Sequence, residues 1–534
     1  MSMRKIVAAA VLSVSATVMP GLASADDALF ALIRTGQSEA ALALVSAGGA
    51  DLAATEPDGS TALHWATYQV DYALVRALLD AGASADVTNK YGSTPLAEAV
   101  KLGDVELVRM LLEAGANPDS PSLDNQTALM LSANLGLLDI ARLLIERGAD
   151  VNAVETFRDQ TALMWAAAEN HPDIVDLLIE HGADVTPVAH HDDWPRQMTS
   201  EPRAQFRPTG GLTALLYATR SGCYRCAVAI VEAGADIDRP NPDGITPLLN
   251  AIDARSFDIA MYLIDQGAKV DVWDMHGRTP FYMAIDMNSF RGGGFGGFGG
   301  PAAPLPPQEH TPMEVAKRLL SMGVDVNHQL TRMRPNGPGR GRFADFMMRG
   351  GTGPLMVATL SNDHEAIEFL LANGAEVDLY NVFKTTPLMV AAGMSGTGRG
   401  NGPGGGAGGR DPQAAALTTI DLLLDAGAEI NKQVTDSRTF TAKLDNYVAG
   451  KDNEGRTALH AAAESGWDRV VAHLIARGAD PGIVDAQGDT ALDLGLAAAT
   501  AAAAQPGYGG AAKASRDATV AVLSEALGAT PGAN

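Results

Sequence analysis

One four-residue slot recurs along this chain. It reads Thr61-Ala62-Leu63-His64 at its first appearance and returns at Thr94, Thr127, Thr161, Thr213, Thr246, Thr279, Gly353, Thr386, Thr457 and Thr490. Six of the ten intervals are 33 residues. A period of that size marks a single supersecondary unit that cannot bury its own apolar face, so the units must stack against one another. A single globular enzyme core is thereby disfavoured. With 46% hydrophobic but only 5% aromatic residues, the composition suits an alanine- and leucine-rich helical stack.

Each copy carries helix signals in a fixed order. Thr caps a first helix, Pro or Ala takes its first position, and Leu points inward. A second helix follows, as in "DVELVRMLLEAGA" (104 to 116), with apolar residues at Val105, Leu107, Val108, Leu111 and Leu112 and a stop at Gly115. A polar extended stretch then leads to the next threonine. In "ADVTNKYGS" (85 to 93) a glycine two places before that threonine permits a tight turn.

The unit resembles the ankyrin repeat, with its T-P-L-H-x-A opening and its L-L-x-x-G-A-D-V-N close. Matching pieces are "GADVN" (148 to 152), "GADV" (182 to 185), "GADID" (234 to 238) and "GAEVD" (374 to 378). Departures are Gly353 in the threonine slot and Asp493 in the histidine slot. The resemblance implies an all-α ankyrin-repeat solenoid of about eleven helix-turn-helix repeats with protruding turns and long loop insertions. It also implies protein partners bound through the concave face and turn tips. The signature histidine, here His64 and His460, is expected to hydrogen-bond between neighbouring turns, whereas Met130, Met164, Met356 and Met389 fill the same slot as core residues.

Residues 1–25 read as a secretory signal. Arg4 and Lys5 precede the apolar "IVAAAVLSVSATVMPGL", and Ala23-Ser24-Ala25 supplies the small-residue cleavage pattern. A mature chain beginning near Asp26, in the periplasm or secreted, is expected to be a monomer with no membrane span. The net charge is -24, and losing Arg4 and Lys5 makes it more acidic still. Such a chain repels nucleic acid and favours basic partners. The style resembles ankyrin-repeat proteins exported to the bacterial periplasm.

Breaks in the period divide the rest. A capping half-repeat and first turn occupy 26–60, and repeats run over 61–290 with an extended turn at 186–208. A Gly/Pro-rich insert fills 291–310. Repeats resume over 311–395 with a basic extended turn at 328–352, followed by a Gly-rich insert at 396–412. The last repeats span 413–500 with an extended turn at 432–452. A flexible insert at 501–515 and a capping helix and tail at 516–534 complete the chain.

Candidate chemistry is sparse. Cys223 and Cys226 are the only cysteines, at the start of a second helix. In an oxidising compartment they could close as a small structural disulfide; a reduced pair or a redox-active one are the other readings. Equivalence with Asp104 and Leu107 puts Cys226 inside and Cys223 nearer the surface. His190-His191-Asp192-Asp193 offers ligand-type residues without metal-ligand spacing. No catalytic motif, metal site or cofactor site emerges.

The binding candidates are of two kinds. "RMRPNGPGRGRFADFMMRG" (332 to 350) sets Arg332, Arg334, Arg340 and Arg342 beside Phe343 and Phe346, to grip a partner or fold back on its own acidic stack. At the turn tips, Tyr91, His276 and Phe383 stand three places before the slot, and Trp273 and Tyr380 six places before it. The expected role is a non-catalytic interaction scaffold or accessory factor. The alternatives are a secreted effector acting on a host protein, or an enzyme using the His190 region or the Cys223/Cys226 pair.

Overall fold

The computed structural model describes residues 25–120, 122–192, 210–289, 307–331, 351–394, 411–435, 453–503 and 510–528. Among them the regular structure is entirely helical apart from isolated bridges between turn strands. The helices come in twelve consecutive pairs. Eleven begin at the recurring slot. The first, Ala25–Arg34 with Ser38–Ser46, has no threonine, so the segment expected to be a half-repeat holds a complete pair.

The pair Pro95–Leu102 and Val105–Glu113 shows how sequence makes the unit. Thr94 Oγ1 accepts the N–H of Ala97 at 3.1 Å, and Pro95 opens the helix where an N–H would have no partner. Gly103 ends it at φ 69°, a left-handed backbone that favours glycine. Asp104 then accepts the N–H of Leu107 at 2.9 Å and starts the second helix. Leu96, Ala99 and Val100 from one helix and Leu107, Val108 and Leu111 from the other are fully buried. Each large side chain so buried contributes about 2 kcal/mol.

The described repeats fall into two units, one comprising the residues up to Asp192 together with Gly210–Ile237, the other those from Asp238 onward. Within each, the aspartate or asparagine of one repeat holds the backbone of the next. Asp86 accepts the N–H of Asn117 at 2.8 Å and Asp119 that of Asp150 at 2.9 Å. In the second unit Asp238 accepts the N–H of Lys269 at 2.8 Å. The last residue of the G-A-D-V-N stretch, two places after the "GAD" acid, is therefore a register clamp between neighbours, and the "GAD" position of the next repeat supplies the N–H it holds.

The turns are linked as well. Lys90 N–H donates to Asp58 O at 2.7 Å, Thr156 N–H to Asp124 O at 2.8 Å, and His190 N–H to Arg158 O at 2.7 Å. Three extended turns leave through paired necks. Ala189 N–H meets Leu212 O, Leu330 N–H meets Thr352 O, and Val434 N–H meets Arg456 O, all at 2.9 to 3.0 Å.

The C-terminal pair differs from expectation. Ala491–Ala503 and Gly510–Ala526 are long helices, so only 504–509 of the supposed flexible insert at 501–515 falls outside described helix. "AAATAAA" (497 to 503) is rich in the strongest helix former and extends the first helix rather than leaving it.

Candidate interaction surface

The sequence-based candidates separate by exposure. Tyr91, Trp273 and Tyr380 are exposed, whereas His276 and Phe383 are half-buried. The His276 carbonyl accepts the N–H of Thr331 from the next turn at 3.1 Å. Trp273 stacks on His328 with ring centroids 6.4 Å apart, and Lys384 Nζ lies 4.1 Å from the centre of the Tyr380 ring. Arg332, Arg334, Arg340, Arg342, Phe343 and Phe346 lie outside the described residues.

Two further tip residues are as prominent. Leu123 and Phe157 are 73% and 68% exposed, comparable with Tyr91 at 75%. They stand four places before Thr127 and Thr161, not at the three- and six-place positions of the other tip residues. The tips are contiguous. A Cβ on Gly92 would come within 2.5 Å of the Leu123 nitrogen, and Thr156 donates to Asp124. Tyr91, Leu123 and Phe157 thus form an apolar row along one turn edge of the first unit.

Behind the tips, residues four places after the cap lie on the turn-facing side of the first helices. Trp65 Nε1 donates to Glu56 Oε2 at 2.8 Å, and Tyr217 Oη accepts from Gln160 Nε2 at 2.6 Å. Trp165 occupies the equivalent place between them in sequence.

The histidines do what the resemblance implies. His64 Nδ1 accepts the N–H of Thr61 and its Nε2 faces Ser93 O; His460 does the same with Thr457 and Asp489 O. Burial pushes both imidazoles below their usual range, which favours the neutral form that can accept at Nδ1. Met130, Met164, Met356 and Met389 are buried in the same slot. At the other departure, Asp493 Oδ2 accepts from the N–H of Thr490 at 2.9 Å and serves as the cap partner.

Cys223 and Cys226 face each other at disulfide-bonding distance. Both are buried, Cys223 at only 2% exposure, which corrects its expected place near the surface. Cys223 is the N-cap of Tyr224–Glu232, and its sulfur accepts the N–H of Cys226 where Asp104 uses a carboxylate. A thiol lacks the charge that draws an aspartate toward water, so it settles inside.

At the His190 turn, His190 Nδ1 lies 3.5 Å from Asp159 and its Nε2 3.8 Å from Asp192, and its ring stacks on His191. Among the described residues no three metal-ligating side chains gather there or elsewhere. Nor is any described helix long and apolar enough to cross a membrane.

Paired helices, threonine caps and clamped turns define a helical repeat protein. Models of ankyrin repeats in three copies match residues 28–122, 99–189 and 215–291, and a single ankyrin-repeat model matches 454–486. Together they span half of the chain, and the chain belongs to the ankyrin-repeat family. Such repeats are in general protein–protein interaction modules. No curated protein matches the sequence.

Proposed function

We propose that the protein is an exported, non-catalytic scaffold that binds partner proteins through its turn edge and the adjoining helix face. The observation that carries this reading is the row of Tyr91, Leu123 and Phe157 on successive tips. Large apolar side chains scattered singly on a surface need no explanation, but three on contiguous tips form a patch. Aromatic residues of this kind dominate binding energy at interfaces. The clamped backbone beneath holds them in fixed relation, so little ordering cost remains on binding.

The export part rests on the charged, apolar and small-residue regions of 1–25. Expression in a bacterium, fractionation and N-terminal sequencing test it: mature protein beginning near Asp26 in the periplasmic fraction is expected, and an intact Met1 in soluble cytosol would overturn it. The binding part is tested by capture from periplasmic extract with the mature chain. A partner retained by the wild type and lost on changing Tyr91 and Phe157 to Ser supports the scaffold reading. Capture of nothing, or capture indifferent to both changes, would remove the turn edge from consideration.

A further inference from the structure

Arg220 stands apart from most of its kind in this acidic chain. In the same unit Arg225 reaches Asp173 and Asp176 at 2.9 Å, but Arg220, exposed at the end of Ala214–Ser221, makes no ion pair among the described residues. Its guanidinium carbon lies 4.9 Å from the centre of the Tyr217 ring one turn earlier. Arg158 stands two residues before Gln160, whose Nε2 donates to the hydroxyl of the same tyrosine, and both guanidiniums act electrostatically on that hydroxyl. Arg158 also packs 5.2 Å from the Phe157 ring centre.

The polar groups converging here are donors. Tyr217 Oη accepts from Gln160, which leaves its own O–H free to donate, and burial above all raises the phenol beyond its usual range so that the proton stays on. Trp165, at the matching place on the neighbouring helix, has a buried indole N–H with no acceptor. The nearby carboxylates are poor answers to this excess. Glu155 is turned into its own loop, accepting the N–H groups of Phe157, Arg158 and Gln160 at 2.6, 2.8 and 3.1 Å. Asp192 comes only to 3.7 Å of Arg158, across a half-exposed pair that solvent screens.

We propose that Arg158, Arg220, Tyr217 and Gln160 form a receptor for a single carboxylate side chain on an acidic segment of a partner protein, with Phe157 packing on the apolar residue beside it. The proposal rests on the turn edge being a binding surface, and names the chemistry it selects. Arginine forks match a planar carboxylate, and stacking on aromatic rings pre-orients them. A phosphate dianion fits less well, because Asp159 and Asp192 flank the site and a second negative charge adds repulsion.

The test uses the mature chain labelled with ¹⁵N at tryptophan, the Trp165 indole signal being assigned by its loss in Trp165→Phe. The probes are acetyl-Phe-Glu-Phe-amide, its glutamine counterpart and inorganic phosphate. The glutamate peptide is expected to shift the Trp165 signal saturably, with binding about tenfold weaker in Arg158→Ala and in Arg220→Ala, both at exposed positions that leave the fold intact. Equal shifts from the glutamate and glutamine peptides, binding indifferent to both arginines, or a stronger response to phosphate would each overturn the carboxylate assignment. In the capture experiment, a partner lost with Tyr91→Ser and Phe157→Ser but retained with both arginines changed to Ala would sink this receptor alone. Capture of nothing would sink the scaffold reading beneath it.

Discussion

His64 Nε2 lies 3.1 Å from the backbone oxygen of Ser93, 29 residues further along, while its Nδ1 accepts the N–H of Thr61. One side chain thus closes its own helix cap and ties it to the next turn. His460 repeats the arrangement with Thr457 and Asp489.

The first prediction concerns pH. Burial lowers both imidazoles from the ordinary 6.5, so the unfolded chain binds more protons than the folded one as the medium acidifies. Their contribution is complete above the unfolded value and is lost as pH falls through the folded one. Urea unfolding is expected to show the wild type weakening below about pH 6.5. His64→Met with His460→Met should flatten that part of the curve, at a cost of about 1–2 kcal/mol per site at neutral pH for the lost bridge. An unchanged slope would mean that other groups carry the dependence.

A second prediction separates backbone strain from crowding. Gly92 and Gly115 both hold positive φ, 73° and 89°. A Cβ at Gly115 meets nothing within 4 Å, but at Gly92 it would strike Leu123 at 2.5 Å. Gly115→Ala should therefore cost about 1–2 kcal/mol from the left-handed backbone alone. Gly92→Ala should cost clearly more, because the neighbouring tip must move. Equal losses in denaturant titrations would show that the tips yield freely.

The buried guanidinium of Arg278 supplies a third. It binds Asp274 at 2.6 Å and Asp253 at 3.0 Å, with Asp274 itself almost fully enclosed. Arg278→Ala leaves that carboxylate unpaired and should cost about 3–5 kcal/mol. Arg278→Met with Asp274→Asn should recover much of it, since Asn still accepts the N–H groups of His276 and Arg278. A double variant no better than the single one would show that the charge is not the cause.

Much of this was legible in the sequence because the cap is local and the period long. Thr94, Pro95 and Gly103 announce a helix by their own chemistry, and eleven copies leave little freedom of register. The first pair is not legible because Gln37 makes no side-chain cap there and Ala25, where the first helix starts, is also the last residue of the apparent cleavage pattern. The last insert reads as a loop in sequence because its alanines adjoin "QPGYGG", although they continue the helix before them. Leu123 and Phe157 were hidden for a different reason. Which residue crowns a turn depends on where the left-handed backbone falls, here at Asn125 and Asp159, and counting from the threonine does not show it. The tertiary meeting of Gln160 with Tyr217, across an interval lengthened by an insertion, has no local signal.

The last prediction is about Cys223 and Cys226. The sulfur of Cys223 caps its helix as Asp71, Asp104 and Asp363 cap theirs, so the pair combines a cap with two sulfurs at disulfide-bonding distance, three residues apart. So short a loop restricts the unfolded chain only modestly, by about 2 kcal/mol on loop entropy. Protein recovered from an oxidising compartment should show no free thiol when unfolded without reductant. Reduction should lower stability by about that amount. Cys223→Asp with Cys226→Leu, the residues of the 104–107 helix start, should then fold and resist denaturant at least as well as the reduced wild type, because the cap returns as a carboxylate. Two free thiols in the exported protein would refute the disulfide. A failure of the Asp/Leu variant to fold would refute the equivalence with Asp104 and mean that the site, now closed to solvent at both sulfurs, cannot accept a charge.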